Sequence, residues 1–344
     1  MSDQLKAQIA AYLRARMPEA GEVEVIGLSR IHGGASRETF RVRAKMERGG
    51  ERGLIFRRDP VSTLIETERQ IEFAAYRSFH KSDVPVPGAL FLETETQWLE
   101  RPFFVMDEIE GGVAASILTA NPYGEHAEAI GKQFFSILGR IAARDVASSE
   151  LARHSQKPAP DKAWQRELAH WEKVIDEDEL EPQPIARAAI RWMRRNPPTP
   201  AQRISIVHGD YRTGNFLHDG QGRIIAILDW EMAHLGDPLE DLAWALDPLW
   251  SHHNPAKPAG TIDRDAAIAT WEKASELKAD GTALRWWEMF ASLKGLAIWI
   301  SSAKEFQSGA NTDPVMAFSG LYCLPYHNKV LADRLVAFLA EGAA

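Results

Sequence analysis

Three oxygen-bearing side chains stand close together in the segment His208-Gly209-Asp210-Tyr211-Arg212-Thr213-Gly214-Asn215, followed fourteen residues later by Asp229-Trp230-Glu231. Asp210 follows the apolar run Ile204–Val207, and Asn215 lies five residues further on. The turn Asp219-Gly220-Gln221-Gly222 and the apolar run Ile224–Leu228 then bring the chain back, so Asp229 returns beside the Asp210–Asn215 loop. One carboxylate to orient and deprotonate an attacking hydroxyl, plus a carboxylate and an amide oxygen to hold a magnesium ion against phosphates, is what phosphoryl transfer needs. Asp210 fits the first role, Asn215 and Asp229 the second. Each residue alone is compatible with a helix cap or a loop contact; their joint spacing is not easily explained that way.

His208-Gly209-Asp210 with Asn215 resembles the catalytic loop of the protein-kinase-like fold, in the variant of the aminoglycoside phosphotransferase and choline kinase superfamily, and Asp229 resembles its metal-binding Asp. The likeness continues through Leu235-Gly236-Asp237-Pro238-Leu239-Glu240-Asp241-Leu242-Ala243, which is similar to the segment after the metal Asp in the acyl-CoA dehydrogenase 10/11-like kinase branch. Asp229-Trp230-Glu231 replaces Asp-Phe-Gly and no Ala-Pro-Glu follows, so the activation apparatus of protein kinases is not expected. Small-molecule phosphorylation is therefore favoured over protein phosphorylation. His208 is expected to brace the loop rather than to transfer protons.

The resemblance assigns ATP-binding parts to the first half. Gly33, Gly34, Ala35 and Ser36, between two strand-like runs, would let backbone donors approach phosphates. Arg57 stands on the third strand where the fold has a phosphate-contacting Lys; it keeps the charge but offers a larger planar fork. Its partner on the next helix is expected to be Glu72, with Glu66 and Glu68 as competitors. Pro102–Met106 is similar to the strand entering the interlobe hinge, with Met106 against adenine and Asp107, Glu108 and Ile109 as the hinge itself. The implied cofactors are ATP and Mg2+. The acceptor is a small-molecule hydroxyl, and the branch suggests a hydroxyacyl-CoA or a related hydroxy acid. An aminoglycoside or amino alcohol is the alternative, and a non-catalytic nucleotide-binding module is the reading of another class.

The elements that would position these residues are legible as patterns. Leu5, Ile9 and Leu13 recur at helical spacing near the start, and Val23–Leu28 reads as a strand. Phe40, Val42 and Ala44 alternate with Arg41, Arg43 and Lys45, as on a half-buried strand, and Leu54–Arg57 is the next strand. Ile71, Ala75 and Phe79 mark a helix, Val84-Pro85-Val86-Pro87 breaks it, and Ala89–Leu92 and Pro102–Met106 are extended. A five-stranded antiparallel unit with one inserted helix follows. Beyond Gly111-Gly112 the pattern is amphipathic-helical from Ile130, Phe134, Leu138 and Ile141 onward, with Ile204–Val207 and Ile224–Leu228 the convincing strands and everything after Leu239 helical. The expected fold is α+β and two-lobed: residues 1–110 a nucleotide-binding lobe, residues 111–344 a catalytic and substrate-binding lobe. The Trp-rich stretch Trp286–Trp299 reads as core and pocket wall.

Composition excludes other classes. The 344 residues carry 40 Lys plus Arg against 48 Asp plus Glu, without a basic run, which argues against broad capture of nucleic acid or anionic membrane. The lone Cys323 makes no intrachain disulfide, and no apolar stretch approaches a bilayer span, so a cytoplasmic protein is expected. Gly-x4-Gly-Lys-Ser/Thr, Gly-x-Ser-x-Gly and His-Glu-x-x-His are all missing. Oligomeric state is not readable from these patterns.

Overall fold

In the computed structural model, residues 3–31, 38–59 and 69–342 are described. Helix α1 (Asp3–Arg16) precedes strands β1 (Val23–Ile31), β2 (Glu38–Met46) and β3 (Gly50–Arg58), then helix α2 (Arg69–Phe79) and strands β4 (Ala89–Glu93) and β5 (Phe103–Asp107). The strands form one antiparallel sheet in the order β1-β2-β3-β5-β4. Because side chains alternate across a strand, neighbouring residues of β3 go to different places. Leu54 and Phe56 pack with Val42, Phe103 and Val105 against Ile9, Tyr12 and Leu13 of α1. Ile55 faces the other way, into the core shared with α2 and the rest of the chain, and Arg57 lies on that same face. Arg58 returns to the first face, over the Phe40 ring and bonded to Glu38.

After β5 the chain is mostly helical: α3 (Ala127–Ala143), α4 (Ala163–Asp178) and α5 (Pro184–Arg195) come before the short strands, and α6 (Leu239–Ala245), α7 (Arg264–Ser275), α8 (Gly281–Gln307), α9 (Pro314–Phe318) and α10 (Leu324–Gly342) after them. The short strands are β6 (Ser205–Val207), β7 (Phe216–His218), β8 (Ile224–Ile227) and β9 (His234–Gly236). β6 pairs with β9 and β7 with β8, so two three-residue strands absent from the sequence reading complete both ladders. Three residues are too few to show a period of two, which is why β7 and β9 carry no sequence signal. The stretch after Leu239 is likewise less helical than expected: between α6 and α7 only short 3-10 turns interrupt irregular chain.

Helix α8 is the axis of this half. It is apolar nearly all round and packs on α4, α5, α6 and α10. A helix without a polar face is a buried helix. Its Gly295 lets the His327 ring of α10 lie directly on the backbone, where any Cβ would collide. No described helix is long and apolar enough to cross a membrane.

Candidate active site

The start of the loop after β6 is held by a dense set of hydrogen bonds. The N–H groups of His208 and Gly209 donate to the two oxygens of the buried Asp241 carboxylate, at 2.6 and 2.9 Å. Gly209 has φ +84°, and a Cβ there would run into the Met232 carbonyl, so glycine is required on both counts. The Gly209 carbonyl accepts from the Lys294 ammonium at 2.5 Å. The His208 ring accepts from the Asp210 N–H through Nδ1 (3.1 Å) and donates from Nε2 to the Leu228 carbonyl (2.9 Å). Burial pushes its pKa down to about 4, so the ring is neutral and serves as a brace between the two arms of the site.

The Asp210 carboxylate receives three donors. Asn215 Nδ2 reaches Oδ2 at 2.6 Å, Trp244 Nε1 reaches Oδ1 at 2.9 Å, and Arg212 Nε lies 3.0 and 3.2 Å from the two oxygens. Arg212 also lies over the Trp250 ring, 4.9 Å from its centroid. Because the Asn215 amide nitrogen is turned to Asp210, its oxygen is the end left to face away. Asn215 and Asp229 are brought together by the hairpin of β7 and β8, where the Leu228 N–H donates to the Asn215 carbonyl at 2.8 Å.

Asp229 is held from the opposite side. Its backbone has φ +65°, uncommon for a residue with a side chain, and its N–H donates to the Tyr76 hydroxyl of α2 at 2.9 Å. Arg57 spans two carboxylates, with Nη1 2.7 Å from Glu72 and Nη2 2.8 Å from Asp229, and Glu231 stands 3.6 Å away. Burial raises the Asp229 pKa, but the adjacent Arg57 charge more than offsets this and leaves the carboxyl below its ordinary range. The oxygen donors of Asn215 and Asp229 are the ligand type a hard divalent cation takes, and the Asp229 side chain keeps a quarter of its surface exposed. The residues present fit Mg2+.

Arg57, Glu72 and Asp229 are thus joined by ion pairs, Asp210 and Asn215 by a side-chain hydrogen bond, and the Leu228–Asn215 backbone bond sets the two groups side by side. Met106 is buried at the end of β5. The N–H groups of Asp107 and Glu108 are taken by the carbonyls of Gly88 and Gly53, while their side chains pair with Arg52 and with Arg41 and Arg43. Gly33, Gly34, Ala35 and Ser36, and the competing Glu66 and Glu68, lie outside the described residues. Sequence reasoning missed Arg212, Trp244, Asp241 and Lys294 as neighbours of this site. Arg212 sits two residues after Asp210 and could have been suspected; Trp244 and Lys294 come from helices whose phase toward the loop is set only by packing.

A five-stranded sheet with a helix on each face, a helical second half, and a cation–carboxylate pair beside an Asp–Asn loop define the two-lobed protein-kinase-like fold. Residues 27–277 match the profile of the phosphotransferase enzyme family, and the chain belongs to that family. It resembles a Ralstonia eutropha protein assigned provisionally to the aminoglycoside phosphotransferases, with a TM-score of 0.75 at 20% identity over 96% of this chain and 98% of that one. A thermostable mutant of aminoglycoside phosphotransferase APH(4)-Ia, in ternary complex with ADP and hygromycin B, gives a TM-score of 0.58 at 17% identity, covering 98% of this chain and 99% of that one. Among curated sequences, mouse acyl-CoA dehydrogenase family member 10 is 28% identical over 217 residues, 62% of this chain and 19% of that protein. Viomycin phosphotransferase of Streptomyces vinaceus is 31% identical over 150 residues, 42% of this chain and 49% of that protein. The chain thus spans between a fifth and half of the length of these two relatives.

Proposed function

We propose that this protein transfers the γ-phosphate of ATP to a hydroxyl of a small, non-cationic molecule with an apolar body. The observation that carries the reading is the ion-paired group of Arg57, Glu72 and Asp229 set beside the hydrogen-bonded Asp210 and Asn215. In this reading residues 1–110 bind the nucleotide and 111–344 supply the base and the acceptor site. Adenine lies against Met106 at the hinge Asp107–Ile109, where the Asp107 and Glu108 N–H groups are taken by Gly88 and Gly53 and the hinge carbonyls and the Ile109 N–H are the groups left to bond it; Arg57 holds phosphate oxygens, and Gly33–Ser36 cover them. Mg2+, held by Asn215 and Asp229, supplies charge neutralisation at the phosphates. Asp210 aligns the acceptor hydroxyl and takes its proton as the new oxygen–phosphorus bond forms. The bond from the γ-phosphorus to the β–γ bridging oxygen breaks, and ADP leaves. Arg212 must yield part of its hold on Asp210 for the hydroxyl to enter.

Two neighbouring cavities support the acceptor class: Glu231, 3.6 Å from Arg57, lines one, and the residues on either side of Trp250 line the other. A cavity of about 250 Å³ beyond Trp250 is lined by Ile117, Leu118, Leu249, Tyr322 and Tyr326 and contains no carboxylate. A second cavity, of about 360 Å³, includes Glu167 and Glu231, but each stands beside a cation, Arg166 or Arg57. A polycationic aminoglycoside calls for uncommitted acid. A hydroxyacyl compound, the class suggested by the acyl-CoA dehydrogenase relatives, asks for an apolar wall; the viomycin phosphotransferase relative keeps the antibiotic reading as the alternative.

The test is Mg2+-dependent ATP consumption against hydroxyacyl-CoAs, free hydroxy acids, amino alcohols and aminoglycosides, with Asp210→Asn beside the unaltered protein. A signal confined to hydroxyacyl compounds and lost in the variant is expected. A signal from aminoglycosides alone would overturn the acceptor class, and full activity in Asp210→Asn would overturn the base.

A further inference from the structure

Beneath the catalytic loop lies a second charge cluster that the chemistry above does not use. Glu167 of α4, His234 of β9 and Glu240 of α6 place ligand atoms within 4.8 Å of one another, an arrangement a divalent metal could occupy. The cation already there is Lys294 of α8, which is 1% exposed, 2.9 Å from Glu240 Oε1 and 2.5 Å from the Gly209 carbonyl. Its ammonium lies between two indole faces, 5.3 Å from the Trp244 ring centroid and 5.7 Å from that of Trp171. Both contacts lead to Asp210. Gly209 is the preceding residue, its N–H fixed by Asp241 and its carbonyl by Lys294, and Trp244 is the indole that donates to Asp210 Oδ1.

Resting on the assignment of Asp210 as the base, we propose that Lys294 is a positioning residue: a built-in ammonium ion that fixes the Gly209 peptide and the Trp244 indole, and through them the Asp210 carboxylate. It acts as a bound cation would, with the difference that it is tethered to α8. The cavity of about 360 Å³ reaches this point, since Lys294, His234 and Glu167 are among its walls. Removing the side chain therefore leaves a cation-binding hole with an entrance from solvent.

Lys294→Ala is expected to lower kcat about a hundredfold, the scale of a small misplacement of a reacting group, while KM for ATP changes less than about threefold. Added n-propylammonium should restore at least about tenfold of the loss with saturable dependence, and should raise the melting temperature of this variant but not of the unaltered protein. Lys294→Met, which fills the hole without charge, should be as slow and show no rescue. A folded Lys294→Ala protein that is fully active, or slow and indifferent to the amine in both rate and melting, overturns the proposal. If the variant folds only when n-propylammonium is present, the proposal is supported; if it fails to fold with and without it, Lys294 is a scaffold residue and the proposal falls. Absence of ATP turnover in the unaltered protein with every acceptor would instead strike the assignment of Asp210, and the melting measurement would still judge the cation site.

Discussion

Two cation-centred clusters flank the same loop and are built differently. Around Arg57, one planar guanidinium holds Glu72 at one nitrogen and Asp229 at the other, and the Asp229 side chain is 28% exposed. Around Lys294, a compact ammonium meets Glu240 where both side chains are 1% exposed. The first arrangement can give up one partner and keep the other, as the proposed phosphate and metal site would require. The second, with both members of its ion pair buried and the Gly209 carbonyl bound to the same ammonium, is built to hold. The difference teaches that a buried ion pair next to a reaction centre has two uses, exchange and fixation, and that exposure and the number of partners tell them apart.

The sharpest way to break the comparison is at the exchangeable carboxylate. Asp229→Asn should lower kcat by about a thousandfold or more and weaken Mg2+-dependent nucleotide binding in calorimetry, with the fold kept, because Arg57 retains Glu72. The fixed cluster should respond in stability instead. Burial lowers the pKa of His234, but Glu167 and Glu240 outweigh it and raise the value to about 9. Protonated His234 therefore contributes stability that is fully present below about pH 6.5 and is lost as pH rises through 9. His234→Gln should lower the unfolding free energy by about 2 to 3 kcal/mol at pH 6 and flatten the decline between pH 6.5 and 9, read by denaturant titration across pH.

Asp241→Asn replaces one of two oxygens, each accepting one backbone N–H, with an N–H₂ group that faces a donor. A loss of about 1 to 3 kcal/mol is expected in the same titration. The smallest effect should come from Arg57→Lys, which keeps the charge but reaches one carboxylate at a time. KM for ATP should rise about tenfold while kcat changes little, measured by initial rates against ATP.

How much of this was legible depends on distance along the chain. Asp210, Asn215 and Asp229 lie within twenty residues and are joined by a turn with two glycines, so spacing alone brings them together. Arg57 and Glu72 needed one more step: the alternation of β3 separates Arg57 from Arg58, but Glu72 was singled out over Glu66 and Glu68 only by the family resemblance. Lys294 was not legible as a neighbour, since 85 positions separate it from Gly209. The available signal was a lysine inside the apolar run Ser292-Leu293-Lys294-Gly295-Leu296-Ala297-Ile298, a charge where a buried helix should carry none without a partner. The partner is Glu240, in a segment whose resemblance was recognised without a role for that residue. Strands β7 and β9 were invisible because their ladders are set by the loop, and not by residue preference.

Trp230 sits between Asp229 and Glu231 with no exposed surface, its ring 4.4 Å from that of His208 and 4.8 Å from that of Phe79. Turning the Asp229 segment outward would carry this indole into water, at a cost of about 5 kcal/mol for the buried area of a tryptophan. Such a state would then be visited by roughly one molecule in a few thousand. With Asp229 in the proposed metal-holding role, this indole would act as an anchor that keeps the carboxylate facing the loop between turnovers.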